Sequence, residues 1–235
     1  MCYSNSLTVS AQQLEKTYGR KLIKSDKNAP VYYQSGFTFP GWPCITQQAE
    51  IVNMQWGLIP AWYRGPEPSE IASKTLNARI ETLEEKASFK HLVASKRCII
   101  PSSGFFEYQM QESNKKLFFI QPNDQALFHM GGVFDEWTDL VTGKTKKTFS
   151  IITTEANTLM AEIHNTARRM PLIFKASQVE SYLSGEISLS NFTPVPSELM
   201  RAHPVDKRIL QRENKNVPEI QARFVDNIGI QGSLF

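Results

Sequence analysis

The second residue of the chain is a cysteine, in Met1-Cys2-Tyr3-Ser4. Removal of Met1, expected where the second residue is small, would set a free α-amine beside the Cys2 thiol. Reference pKa values of about 8 for the amine and about 8.5 for the thiol leave both partly deprotonated near neutrality. Such an aminothiol reacts as no internal cysteine does. Its amine condenses with an aldehyde to an imine, and the thiolate then adds to the same carbon and closes a five-membered thiazolidine. The plain alternative is a cysteine in an unstructured terminus.

Other residues offer chemistry that is ambiguous one by one. In Leu76-Asn77-Ala78-Arg79-Ile80-Glu81-Thr82, the Asn77 amide can donate to an oxyanion or accept from an amine, and Arg79 carries a fork suited to phosphate. An ordinary helix start with exposed Arg and Glu would look the same. Glu107 is a lone carboxylate in the aromatic run Gly104-Phe105-Phe106-Glu107-Tyr108. Facing a pocket, it would be raised in pKa by desolvation toward the range of a general acid or base; on an edge strand it would simply meet water. His164 can shuttle protons, with Arg168 and Arg169 nearby to hold phosphate, or it can be a satisfied structural histidine. Trp56 and Trp62 flank Gly57-Leu58-Ile59-Pro60-Ala61. They fit a loop that stacks on splayed bases, and equally a pair of core tryptophans.

The elements that must position these groups are short. Ser10-Ala11-Gln12-Gln13 has capping-box spacing and Gly19 a helix-ending place, which predicts a helix over 11–18. Residues 30–43 read as irregular chain with short strands and 51–60 as a strand, followed by a loop carrying Pro60, Gly65, Pro66 and Pro68. A polar helical pattern covers 81–96, and strands follow at 97–101, 104–109, 116–121, 126–134 and 147–154, with Gly143 turning into the last. Helices are expected at 156–163, leading into His164, and at 176–184, ended by Gly185. Beyond about 208 the chain is polar and weakly patterned, a peripheral tail. Without repeats or low-complexity linkers, 1–235 reads as a single α+β domain around a mainly antiparallel sheet.

Composition agrees with a globular protein and says little more. At roughly 100–200 residues per domain, 235 residues suffice for one large domain or two small ones, able to hold a core without disulfide or metal staples. Lys and Arg number 26 against 23 Asp and Glu, a formal charge of +3, too small to name a partner. No apolar run approaches the ~18–20 residues of a membrane span and no basic-then-apolar leader opens the chain, so a cytoplasmic protein is expected. Three cysteines (Cys2, Cys44, Cys98) form no CxxC pair, and the four histidines never stand at i, i+4. Disulfide frameworks and the usual zinc patterns are thereby excluded; Cys98, in Arg97-Cys98-Ile99-Ile100-Pro101, reads as a buried small hydrophobe.

Taken in order, the ambiguous motifs become specific. Met1-Cys2, Trp56-Gly57-Leu58-Ile59-Pro60-x-Trp62, Asn77-Ala78-Arg79-x-Glu81-Thr82, Arg97-Cys98-x-x-Pro101-x-x-Gly104-Phe105-x-Glu107-Tyr108 and His164…Arg169-Met170-Pro171 resemble the SRAP family of SOS-response-associated, abasic-site-processing proteins. The resemblance is strongest over 2–205. It implies a compact α+β domain with a β-barrel-like core, peripheral helices and a positively charged groove. It further implies capture of abasic sites in single-stranded DNA, or at a single-strand/duplex junction, as a covalent thiazolidine on Cys2. Accompanying expectations are lyase-type imine chemistry, a classification as peptidases linked to Met1 removal and release from DNA, a monomer that associates with the nucleoid when bound to DNA, and no metal or cofactor.

By the same resemblance Cys2, Asn77, Glu107 and His164 match the catalytic positions. Arg79 and Arg169, with Arg168 beside it, match arginines that contact phosphates, and Trp56 and Trp62 fall in the aromatic loop lining the DNA path. Two departures stand out. The family usually opens Met-Cys-Gly-Arg, whereas Tyr3 and Ser4 follow Cys2 here. It also usually has His-x-Arg-Met-Pro, whereas Asn165-Thr166-Ala167-Arg168 separate His164 from Arg169 here; Arg169, directly before Met170-Pro171, is the arginine expected at phosphate. Two other readings fit a terminal cysteine or a basic aromatic loop: an N-terminal-nucleophile amidohydrolase, and a non-covalent single-strand-binding module with salt-dependent binding.

Overall fold

In this computed structural model residues 2–23, 29–112, 114–190 and 192–225 are described. Alternating apolar residues build most of it into strands: β1 Ser4–Leu7, β2 Lys21–Leu22, β3 Val31–Ser35, β4 Gly41–Ile45, β5 Glu50–Trp56, β6 Asn77–Arg79, β7 Arg97–Ser102, β8 Gly104–Gln111, β9 Asn114–Pro122, β10 Phe128–Thr138, β11 Thr145–Glu155, β12 Arg169–Pro171, β13 Ile173–Phe174 and β14 Met200–Pro204. Four short helices lie around them: α1 Ala11–Tyr18, α2 Pro68–Lys74, α3 Thr158–Ile163 and α4 Val179–Leu183.

Antiparallel pairings join β5 to β4, β4 to β7, β7 to β10 and β10 to β11. A parallel pairing of Thr148 with Gln55 and Phe149 with Trp56 brings β11 back to β5, closing a five-stranded ring without free edges. The sheet β14-β9-β8-β1-β3 packs against it. One apolar cluster draws on both, with Phe105 and Ile120 from the second sheet meeting Ile45, Met54, Ile99, Phe149 and Ile151 from the ring. This is the expected α+β, barrel-like architecture.

Local chemistry explains the elements. The Ser10 hydroxyl accepts from the Gln13 amide and the Gln13 side chain accepts from the Ser10 amide, while Gly19 at φ +62° ends α1 as only glycine does without strain. Every residue from Thr148 to Thr154 is buried, because β11 is bonded along both edges and covered on both faces. The expected helix over 81–96 does not form. A 3₁₀ turn at Ile80–Thr82 gives way to separate turns closed by bonds such as Phe89 N–H to Lys86 O and Leu92 N–H to Phe89 O. Leu83 and Phe89, six residues apart, would stand about 120° apart around a helix, and separate turns let both reach the core. Conversely, the proline-rich loop contains α2, with Pro68 in its first turn, where a missing N–H costs nothing. The tail packs as far as it is described: Ile209 and Ile220 join Phe106, Leu117, Phe119 and Val205 in a second cluster on the outer face of β8 and β9.

Candidate active site

Cys2 lies two residues before β1, the strand held between β3 and β8. Because Ser4 pairs with Phe106, the residues before β1 run beside Glu107. Along β8, Phe105 faces the main core and Phe106 the second cluster. The two-residue period therefore turns Glu107 to the side of the main core, where it is buried. Glu107 therefore faces the interior and not water. From the opposite side β6 lies parallel to β11, with Asn77 beside Ile151 and Arg79 beside Thr153. The Asn77 Nδ2 donates to the Cys2 carbonyl at 3.0 Å. Its Oδ1 is buried with no hydrogen-bond partner among the described residues, so an acceptor next to Cys2 is left for another donor.

Cys2 itself is 1% exposed, its Sγ 3.9 Å from the Ser4 carbonyl. Burial pushes the thiol well above its ordinary pKa, and the nearby Glu107 carboxylate pushes it further. Tyr3 is half-buried; burial and Glu107 raise its phenol while Arg79 draws it down. Cys2, Tyr3, Asn77, Arg79 and Glu107 thus form one cluster. Met1 lies outside the described residues.

His164 caps α3 and follows Ile163 at its C-terminal end. Its Nδ1 lies 3.0 Å from the Arg169 carbonyl and 3.2 Å from the Arg169 amide nitrogen. The extra residues between His164 and Arg169 fasten this segment to β8. Asn165 Oδ1 accepts from the Met110 N–H, Asn165 Nδ2 donates to the Met110 carbonyl, and the Gln109 side chain donates to the Glu162 carbonyl. The histidine is thereby tied to the strand that carries Glu107.

The arginines divide differently from expectation. Arg169, expected at phosphate, is 7% exposed. Its guanidinium pairs with Glu81 at 2.8 Å and donates to the Thr153 carbonyl at 2.6 Å. Although partial burial opposes it, this contact holds the Glu81 carboxyl below its usual range. Glu81 also lines a groove of about 440 Å³ with Glu84, Glu85 and Glu155, a lining that repels phosphate. Arg169 is therefore a buried brace, and Arg168 and Arg79 are the exposed cations. Arg168 has a left-handed backbone, φ +47°, in a turn closed by its own N–H to the His164 carbonyl.

The tryptophans divide too. Trp56 is fully buried, donates its indole N–H to the Leu76 carbonyl and stacks on Phe149 at 14° between planes, which removes it from any surface path. Trp62 is 52% exposed. Its loop is clamped from β10: Asp135 accepts from the Ala61 N–H and pairs with Lys96, while the Trp137 indole donates to the Tyr63 carbonyl. Asp135 escaped notice in the sequence, where its one signal is a carboxylate in the apolar run Gly132-Val133-Phe134-Asp135. Cys44 and Cys98 are free, buried core residues. Among the described residues no helix is long and apolar enough to cross a membrane, and no cluster of three or more His, Cys, Asp or Glu is placed to hold a metal.

Fold and site define an α+β barrel protein in which a buried cysteine, Cys2, lies beside an asparagine and a glutamate. The family described as SOS response associated peptidase (SRAP) matches residues 1–212. The chain belongs to this family. Among curated proteins it is 33% identical over 197 residues to abasic site processing protein HMCES of Xenopus tropicalis, covering 74% of this chain and 58% of that protein. It is 33% identical over 176 residues to abasic site processing protein YoaM of Bacillus subtilis, covering 72% and 74%. A crystal structure of a Bacteroides thetaiotaomicron protein superposes with a TM-score of 0.89 at 37% identity, covering 95% of this chain and all of that one. One from Bordetella bronchiseptica, at 19% identity and a TM-score of 0.77, shares the fold.

Proposed function

We propose that this protein processes abasic sites in single-stranded DNA, capturing the lesion as a thiazolidine on Cys2 once Met1 is removed and so shielding it during the DNA damage response. The observation that carries the reading is the enclosure of residue 2 by Asn77 and Glu107 in a chain of this family. An abasic deoxyribose equilibrates between a closed hemiacetal and a ring-opened aldehyde; His164 assists the opening by proton transfer. The α-amine, oriented by the unpartnered Asn77 Oδ1, attacks the aldehyde carbon; the carbinolamine hydroxyl, given a proton through His164, leaves as water, and an iminium remains. The raised pKa of the buried thiol gives the amine the first step. The positive iminium then reverses the local field, the thiol passes its proton to Glu107, and the sulfur adds to the iminium carbon. Ring closure removes the electron sink that would otherwise drive β-elimination and strand cleavage, so the thiol decides between lyase and shield. Arg79 and Arg168 take the phosphates, and Trp62 a base.

The test is a denaturing gel of protein, with Met1 shown absent by mass, mixed with an oligonucleotide bearing one abasic site. The native protein is expected to give a heat-stable covalent band. Cys2→Ser is expected to give only an imine that borohydride must trap. A heat-stable adduct from Cys2→Ser, or no band from the native protein, overturns the reading.

A further inference from the structure

We propose that Tyr3 and Phe37 form an aromatic shelf beside Cys2 that stacks on the nucleobase next to the lesion and sets the flanking-sequence preference of this chain. The proposal rests on the reading of Cys2 as the abasic-site nucleophile and names what the site grips beyond the lesion itself.

Tyr3 follows Cys2 directly, half-buried where Cys2 is enclosed. Its carbonyl accepts from the Gly36 N–H at 2.8 Å, and its ring lies 5.0 Å from that of Phe37, centroid to centroid, tilted by 38°. Phe37 is 54% exposed, yet the turn that carries it is fixed at every residue. The Ser35 hydroxyl accepts from the Phe37 N–H, Thr38 Oγ1 donates to the Ser35 carbonyl, and the Gln34 side chain donates to Thr38 Oγ1. Gly36 lies so close to the Trp56 indole that a Cβ there would stand 3.0 Å from it. On the other flank Phe39, at φ +51°, packs with Ile59, Trp137 and Tyr63.

A large apolar ring is thus held outward between two buried anchors. The ring rests against that of Tyr3 on an ordered turn, and a ring that is already ordered loses little entropy on stacking. The cluster that receives Phe39 also fastens the Trp62 loop, through Ile59 and Tyr63, so exposed aromatic rings stand on two loops joined at their base. Arg79 is close enough to lower the Tyr3 phenol pKa and supplies a cation for the phosphate of the stacked nucleotide. A glycine at position 3, as in the opening this family usually has, would leave Phe37 without its neighbouring ring.

The test uses oligonucleotides carrying a tetrahydrofuran abasic analogue, whose ring cannot open to an aldehyde, flanked on either side by adenine, thymine or a second base-less residue. Binding is measured without covalent chemistry, and adduct formation is followed separately with true abasic DNA. The native protein is expected to bind an adenine-flanked site about tenfold more tightly than a base-less flank, the scale of one base–aromatic stack. Phe37→Ala should lose that difference while leaving affinity for the base-less flank and the adduct yield at saturating DNA unchanged. Tyr3→Leu keeps the apolar bulk against the core, guards against a folding defect, and should lose the same preference. Equal flank preference in native protein and both variants overturns the shelf. A native protein that shows the flank preference but forms no adduct overturns the Cys2 reading alone.

Discussion

At Cys2 burial and reactivity are coupled. Enclosure raises the thiol pKa; in the proposed reaction this leaves the α-amine, freed by removal of Met1, as first nucleophile. Asn77 holds the Cys2 carbonyl with one end of its amide and presents a bare acceptor at the other, a polarity that an aspartate or leucine of equal size could not supply. A second buried residue gives a direct pH prediction. His129 pairs through Nδ1 with the Tyr18 hydroxyl at 2.7 Å, and burial lowers its pKa to about 4 from 6.5. The unfolded chain takes up this proton near pH 6.5 and the folded chain only near 4, so between them the unfolded state binds more protons. The stability held by neutral His129 is therefore complete above about pH 6.5 and falls as the pH drops toward 4, by at most about 3 kcal/mol. Urea unfolding at pH 7.5 and 4.5 should show that loss, and His129→Gln should flatten it.

Among the elements, the Trp62 loop shows how an exposed platform is kept in place. Leu58 and Ile59 lie against the core, the Thr148 hydroxyl accepts from the Ile59 N–H, and Asp135 accepts from the Ala61 N–H. Gly57, at φ +104°, makes the turn out of β5 in a region where other residues are strained. Asp135→Asn keeps the shape of the side chain but leaves Lys96 without its counter-charge. It is expected to cost about 1–3 kcal/mol and to speed amide exchange at Ala61 and the residues after it, with exchange in β7 and β10 otherwise unchanged. Unchanged exchange in the loop would mean that Asp135 serves the Lys96 pair alone. The segment from His164 to Arg168 is fixed in a comparable way, Asn165 binding both polar groups of the Met110 backbone.

For the whole molecule, the packing of two sheets on one core is what assembles the site: β1 and β8 bring Cys2 and Glu107 from one, β6 and β11 bring Asn77 and Arg79 from the other. The C-terminal segment seals the opposite face. The Gln221 side chain donates to the Ser6 hydroxyl and the Tyr32 carbonyl, tying the tail to β1 and β3, and Ile220 is fully buried in the second cluster. Ile220→Ala is expected to lower stability by about 2–4 kcal/mol through the lost burial and the cavity left, measured by urea unfolding. The rate of adduct formation at saturating DNA should not change, because the cluster lies across β8 from Glu107.

The amino-acid sequence by itself determined most of the strands, the capped helix α1 and the α+β class, because alternation, capping residues and turn glycines act over a few residues; the barrel-like core and the family followed from the resemblance its ordered motifs carry. It also marked Cys2, Asn77, Glu107 and His164 as residues of interest through their order along the chain. Tertiary structure decided what those side chains meet. Arg168 and Arg169 are adjacent in sequence, yet a left-handed turn sends one to the surface and an ion pair with Glu81 braces the other inside. Trp56 and Trp62 share one motif, yet the first is sealed against Phe149 and the second stands in solvent. Local periodicity fixes which way successive residues alternate. Which side becomes interior depends on strands that pair across long stretches of chain, such as β6 with β11, whose partners are 74 residues apart, and that pairing is settled only when the two sheets close on a common core.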